Sequence, residues 1–331
     1  MRRLISIVLA LGFGGILLIL GTGVWVYSGF DRPGPLQRDS ILIIERGSGV
    51  SAIAKDLSRA SVIENALIFK LGVRFISDPA PMKAGEYLFP AGISALNAVR
   101  ILQGGKTVIR RVTVSEGLSS AEIVEILRHT EGLTGKLTGL PAEGTLLPET
   151  YHFSFGDSRQ DLVDRMTSAQ VKLLAEIWPK RREGGPFQTP HEAITLASIV
   201  EKETGKSTER AKVAAVFINR IAKKMRLQSD PTVIYGITKG RHPLGRRLSR
   251  NDLRTKTPYN TYIIDKLPPT PISNPGRDAI LAVLQPDSTN DLYFVADGHG
   301  GHAFARTLKQ HNRNVARWRK LMKTQQSNNK E

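Results

Sequence analysis

The sequence predicts an α+β protein in three parts: an N-terminal transmembrane helix, a small β-α-α-β module, and a larger mixed α/β domain. Three observations predict it. Leu4–Tyr27 carries no charged residue. A strand–turn–helix pattern recurs between residues 41 and 127. Beyond residue 160, amphipathic helical periodicity alternates with loops punctuated by Pro and Gly. A length of 331 residues suits about two domains with appendages. The expected division is 1–28 as cytoplasmic N-terminus and anchor, 29–38 as linker, 39–106 as the module, 107–322 as the main domain and 323–331 as a disordered polar tail.

As a helix, Leu4–Tyr27 spans about 36 Å, against a hydrocarbon core of about 30 Å. Arg2 and Arg3 precede it, and Trp25 and Tyr27 end it at interface depth before the first acid, Asp31. Gly21-Thr22-Gly23 offers small residues for signal cleavage, but the apolar run is much longer than the ~7–15 residues of a signal peptide. The expectation is an uncleaved single-pass anchor in the inner (plasma) membrane, with a cytoplasmic N-terminus and some 300 exported residues. Lys and Arg number 47 against 30 Asp and Glu, a net charge of +17. Export removes nucleic acid as the main ligand, which leaves an anionic membrane surface or an acidic wall polymer. The basic residues concentrate in Arg241–Arg254 and after Arg306. The absence of cysteine fits an exported protein without disulfides.

Ile41–Ile44 reads as a strand, Arg46–Gly49 as a turn, and Ile53, Ala54 and Leu57 as one face of a helix. The arrangement returns at Val108–Val114, Glu116-Gly117 and Ile123–Leu127, and more weakly at Tyr87–Phe89 with Ala98 and Leu102. Each unit is too small to bury a core alone, so together they imply a compact module. With Ala66–Phe69 as a second helix and Gly85–Phe89 as a closing strand, the first copy resembles a LysM-type unit. That resemblance implies binding of N-acetylglucosamine-containing glycans.

Farther on, Asp161–Trp178, Thr189–Thr204 and Arg210–Ile221 read as helices. Thr189-Pro190-His191-Glu192 is a strong helix start: a capping threonine, proline at the first helical position and a glutamate that closes a capping box. Gly205 reads as the stop. At 100° per residue, Ala193, Leu196, Ala197, Val200 and Thr204 share a face, and Glu201 projects into that apolar stripe. A carboxylate there is costly unless paired or protonated, and apolar surroundings raise a carboxyl pKa as a general acid requires. The alternative is a structural Glu bonded to an Arg or a backbone amide.

Downstream comes a polar and aromatic series expected on loops: Asn219-Arg220, Leu227–Thr232, Tyr235 and Pro258–Tyr262. Amides, hydroxyls and ring faces suit a sugar groove, and Gln228, Asp230, Thr232, Tyr235, Tyr259, Asn260 and Tyr262 are the candidate substrate-binding residues. Leu196–Thr204 resembles the signature helix of the endolytic murein transglycosylases, the MltG or YceG-like family. The resemblance continues through Val216–Arg220, Leu227–Thr232, Pro258–Tyr262, Leu267–Pro269, Asn274–Gly276, Tyr293–Ala296 and His302–Phe304. It implies cleavage within nascent peptidoglycan strands, at the β-1,4 bond after N-acetylmuramic acid, leaving a 1,6-anhydro end and terminating elongation. It also implies that Glu201 is the catalytic residue. Implied partners are glycan strands and the cell membrane, with peptidoglycan synthases as further candidates. Gly205 and the stretch Arg241–Arg247 depart from the family pattern.

An ordinary glycosidase needs two carboxylates that flank the scissile bond. Glu203 lies about 200° from Glu201 on a helix, so the two cannot bracket one bond. A transglycosylase can use one carboxyl twice: it protonates the leaving oxygen, then takes the proton of the attacking C6 hydroxyl. Glu203 is then expected to orient neighbours, with Arg220 as its partner. His299, His302 and His311 lack the organised ligand set of a zinc site, so no metal and no cofactor are expected. A pyridoxal-phosphate lyase would need a Schiff-base lysine and a phosphate cradle, which the sequence does not offer. The competing non-enzymatic reading is a peptidoglycan-binding scaffold of the wall-synthesis machinery, with Glu201 structural.

Overall fold

The computed structural model describes residues 2–328, with side chains outside the described residues at 2–8, 10 and 326–328. Helix α1 (Arg2–Asp31) exposes Leu11, Phe13, Leu18 and Ile19, and its stretch Leu11–Asp31 is long and apolar enough to cross a membrane. The side chains of Arg2 and Arg3, on which the expected orientation rests, are outside the described residues. The chain divides into two units, Met1–Arg110 with His152–Asp157, and Arg111–Tyr151 with Ser158–Glu331.

In the first unit, β1 (Ser40–Ile44), α2 (Val50–Arg59), α3 (Ala66–Phe75) and β2 (Gly85–Phe89) follow in the expected β-α-α-β order. The strands pair antiparallel from Ser40 opposite Phe89 to Ile44 opposite Gly85. Alternation turns Tyr87 and Phe89 inward onto Ile53, Leu57 and Phe69 and leaves Leu88 outward. Asn65 caps α3 by accepting from the amides of Leu67 and Ile68. α4 (Ala95–Gly104) is capped by Ser94 and stopped by Gly105 at φ 69°. The segment expected as a linker is instead part of this unit. Phe30 and Leu36 are buried in its core, and Phe30 meets Phe69 edge-on at 6.4 Å. Gly72 makes room for that ring: a Cβ there would lie 2.3 Å from it.

The strands β3 (Ile109–Thr113) and β4 (Thr150–Ser154) each pass from one unit to the other, and within the second unit the Val114 amide donates to the Glu149 carbonyl. α5 (Ser120–His129) starts at a capping box of Ser119 and Glu122. The helices α6 (Arg159–Ile177), α7 (Pro190–Glu203), α8 (Arg210–Ala222) and α10 (Arg277–Leu284) share one core through Leu173, Leu196, Phe217 and Ile280. The antiparallel pair β5 (Tyr293–Ala296) and β6 (His302–Ala305) packs against α11 (Leu308–Asn328).

Several expectations change here. Asp230, Thr232 and Tyr235 lie in a helix, α9 (Asp230–Thr238), with Pro231 in its first turn, and not on a loop. α7 is not amphipathic: all eight residues from Ala193 to Val200 are buried, because α8 and α10 both pack on it. It ends with Thr204 in extended conformation, φ −141°, and not at a left-handed Gly205. α11 continues through Asn328, so the polar stretch from 323 is helical as far as the structure describes it.

Candidate active site

The capping box that starts α7 forms as expected, with Thr189 accepting from the Glu192 amide and Glu192 reaching back to the Thr189 amide. This fixes the helix so that its last turn presents two carboxylates to different surroundings. The Glu201 side chain is 4% exposed. Its Oε1 accepts from Arg210 Nη2 at 3.0 Å, and its Oε2 from the Gly276 amide at 2.9 Å. The same guanidinium binds Glu116 at 3.0 Å and reaches Asp278 at 3.5 Å. Burial raises the Glu201 pKa, the Gly276 amide and then Arg210 oppose that, and the charge of Glu116 adds to it. Three carboxylates thus share one arginine, and both oxygens of Glu201 have partners.

Glu203 is held differently. Its Oε1 accepts one short bond, 2.5 Å, from the Ser229 hydroxyl. Burial raises its pKa; the Ser229 bond lowers it, the charge of Asp230 raises it again, and His302 and Arg220 lower it. Arg220 makes no ion pair with Glu203 among the described residues. Its guanidinium donates to the carbonyls of Leu292 at 2.7 Å and Leu227 at 2.6 Å and lies over the Tyr293 ring. The expected Glu203–Arg220 partnership is therefore electrostatic only, since the arginine is spent on backbone carbonyls.

The sequence-predicted polar residues sort into three sets. Around Glu203, Ser229 leads into Asp230, which accepts from the Tyr262 hydroxyl at 2.7 Å, while Gln228 is exposed on the rim in a left-handed conformation, φ 53°. Burial pushes the Tyr262 phenol up, and its bond to Asp230 adds to that. A second set surrounds Glu143: Tyr235 donates to it at 3.5 Å and packs on Tyr259 at 4.9 Å, with Lys239 Nζ 4.1 Å above the Tyr259 ring. The third set is structural. Asn260 is fully buried; its amide donates to the carbonyls of Asp252, Leu253 and Thr255 and its oxygen accepts from the Tyr262 amide. Thr232 is fully buried and donates to the Ser229 carbonyl at 2.6 Å. Neither has capacity left for a ligand, which corrects their placement in a binding surface.

A profile of the YceG-like family matches residues 42–317. The chain belongs to the YceG-like family. It is 31% identical to the endolytic murein transglycosylase of Bacillus subtilis over 332 aligned residues, covering 89% of this chain and 90% of the relative. The endolytic murein transglycosylase of Streptococcus pneumoniae (strain D39) is 29% identical over 82% of this chain, which spans 57% of that longer relative. The crystal structure of a yceG-like protein from Listeria monocytogenes superposes with a TM-score of 0.51 at 30% identity, over 84% of this chain and 99% of that one.

This YceG-like chain also carries site residues that the sequence reading passed over. Ser229 precedes Asp230-Pro231, a helix-start signature, and stands at the N-cap of α9. Glu143 sits in Pro141-Ala142-Glu143-Gly144, where nothing local marks it. It accepts from the Ser120 amide at 2.9 Å and from Asn274 at 3.4 Å, and burial raises its pKa. Asn274 lies two residues before the amide that binds Glu201, so one loop serves both carboxylates. His302 is held by Glu209 at 2.7 Å. A cavity of about 650 Å³ lies at the far end of α7, lined by Phe187, His191, Thr195 and Leu267. None of the sequence-predicted site residues lines it.

Proposed function

We propose that this chain is a membrane-anchored endolytic transglycosylase that cleaves the β-1,4 bond after N-acetylmuramic acid within peptidoglycan strands, with Glu203 as its acid and base. The observation that carries the reading is the environment of Glu203. It is a partly buried carboxyl with a raised pKa and a single short bond from Ser229. The predicted polar residues Gln228, Asp230 and Tyr262 lie beside that serine. The family and the curated relatives supply the substrate class.

This moves the acid from Glu201, where the facial argument placed it, to the carboxyl two residues later. A general acid has to release its proton outward, and Glu201 has both oxygens engaged by Arg210 and a backbone amide. Protonated Glu203 donates to the leaving glycosidic oxygen as the C1–O bond breaks. The resulting carboxylate, steadied by Ser229, takes the proton of the C6 hydroxyl as that oxygen bonds to C1. One group serves both steps, and no water is consumed. A hydrolase would instead need a second carboxylate, and Asp230 is the one whose charge acts on Glu203.

The finer assignments belong to the same reading. The β-α-α-β module of residues 39–106 acts as a LysM-like glycan-binding unit, and residues 107–322 carry the chemistry. The N-terminus is cytoplasmic, the remainder faces the wall, and peptidoglycan synthases are partners. The test is mass analysis of products from purified glycan strands treated with wild type and Glu203→Gln. Anhydro ends that disappear in the variant support the proposal. Reducing ends mean a hydrolase, and absence of products with wild type favours a binding scaffold.

A further inference from the structure

α3 carries an apolar arc wider than the side it buries in the core, and Leu67 and Phe75 at one flank of that arc are exposed. Ile68, Phe69 and Gly72 point into the core. Flanking that face, about 100° away around the helix, Leu67, Leu71 and Phe75 recur at i, i+4 and i+8, with Lys70 and Arg74 beyond them and no acidic residue in the helix. Leu67 is 52% and Phe75 71% exposed, and the Arg74 guanidinium lies 5.3 Å from the centre of the Phe75 ring. Apolar side chains rimmed by cations describe a helix that lies in a lipid interface.

The position of α3 in its own unit selects that occupant. Gly72 is the contact point of Phe30: a Cβ on it would lie within 2.6 Å of three atoms of that ring. Gly29 also packs closely on Ile68, whose Cδ1 a Cβ would meet at 2.8 Å. Phe30 lies three residues, about 4.5 Å along the helix axis, from Tyr27, the interfacial aromatic that ends the apolar span. Phe75 is again three residues, about 4.5 Å, from Gly72. No flexible tether separates the two helices, because α1 continues unbroken to Asp31 and Phe30 is fully buried.

We infer that the outward face of α3 is a second membrane contact, with Leu67, Leu71 and Phe75 in the headgroup layer and Lys70 and Arg74 on anionic lipid phosphates. This rests on reading α1 as a membrane span. Its consequence is that the module is held flat on the bilayer surface and not on a swinging tether.

The absence of cysteine allows one environment-sensitive nitrobenzoxadiazole label to be placed at will. Full-length Phe75→Cys, Ile16→Cys and Leu88→Cys proteins are labelled and reconstituted into phosphatidylglycerol-containing vesicles with brominated lipids. Position 16 reports the span, and position 88 the outer face of the sheet. The expected result is strong quenching at 16 and 75 and little at 88, with quenching at 75 weakened in vesicles of phosphatidylcholine alone. Quenching at 16 but not at 75 overturns the inference and leaves the anchor standing. Equal quenching at 75 and 88 also overturns it, as does a label at 75 that responds to added glycan strands and not to brominated lipid. No quenching at 16 overturns the anchor and the inference together.

Discussion

Ser229 Oγ donates to Glu203 Oε1 at 2.5 Å, across 26 residues of sequence, and joins the end of α7 to the start of α9. The bond stabilises the ionised carboxylate, whereas burial favours the protonated form and wins. Glu203 is thus set to hold a proton above the usual carboxylate range yet to stay hydrogen-bonded once the proton has left.

Replacing each glutamate with glutamine should separate chemistry from structure. Glu203→Gln removes the transferable proton and should lower turnover by roughly 10²–10⁴-fold with binding of glycan strands retained. Glu201→Gln has one acceptor oxygen where Glu201 uses two, so it keeps the bond from Arg210 or from the Gly276 amide but not both; it should lose some stability and retain most activity. Turnover of defined strands, measured beside thermal unfolding, decides. An inactive but stable Glu201→Gln with an active Glu203→Gln would restore the facial assignment.

Stability against pH gives a second readout of the same carboxyl. A Glu203 pKa raised by folding contributes stability that is fully present below the unfolded value, 4.5, and is lost as pH rises through the folded value. The sign follows because the native state binds more protons in that window than the unfolded state does. Relative to wild type, Glu203→Gln should therefore gain stability as pH increases above 4.5. Parallel urea titrations of the two proteins across pH 4–8 check this; parallel curves of constant separation would refute it.

The hydroxyl can be tested on its own. Ser229→Ala deletes a bond that lowers the Glu203 pKa, so the protonated acid should persist to higher pH. A hydrogen bond to a charged group is worth about 1.5–3 kcal/mol, which corresponds to an upward displacement of the basic limb of kcat/KM by at least about one pH unit. An unchanged profile with lowered activity throughout would mean that Ser229 only positions substrate.

Most elements of this fold were legible because their signals are local. The capping box at Thr189 and Glu192, the alternation of β2 and the apolar run of α1 each depend on residues within one or two turns. The site was less legible, because its partners are distant in sequence: 75 residues separate Glu201 from Gly276, and 94 separate Arg210 from Glu116. The facial argument failed at α7 for a specific reason. It assumed a helix with a wet side, yet packing by α8 and α10 buries the whole circumference, so an apolar neighbourhood no longer singles out Glu201. Asn260 and Thr232 misled in another way. Their residue types suit sugar hydroxyls, but the tight loops around them leave carbonyls that need the same donors.

Asn260 accordingly marks the boundary between binding and structure. Asn260→Ala would strip donors from the carbonyls of Asp252, Leu253 and Thr255, and each unsatisfied buried group costs about 1–3 kcal/mol. The expected result is a clear loss of thermal stability, with KM for glycan strands unchanged in the protein that remains folded. Gln228→Ala, on the exposed rim, should do the reverse. A raised KM with unaltered stability in Asn260→Ala would return that residue to the binding surface.

The last prediction concerns the arginine that three carboxylates share. Arg210 is 11% exposed and Glu201 4%, so water cannot replace either partner. Glu201→Ala should destabilise by about 1.5–3 kcal/mol, the worth of a hydrogen bond to a charged group, and by less than a fully orphaned buried ion would, because Glu116 still binds the guanidinium at 3.0 Å. Arg210→Met should cost more. It leaves Glu201, Glu116 and Asp278 facing one another without a cation, and the variant should regain stability at acid pH as these carboxyls protonate. Denaturant unfolding of both variants at pH 5 and pH 8 makes the comparison. If Arg210→Met were as stable as wild type at pH 8, the cluster would not hold α7 to α8, and the separation of a structural Glu201 from a reactive Glu203 would lose its footing.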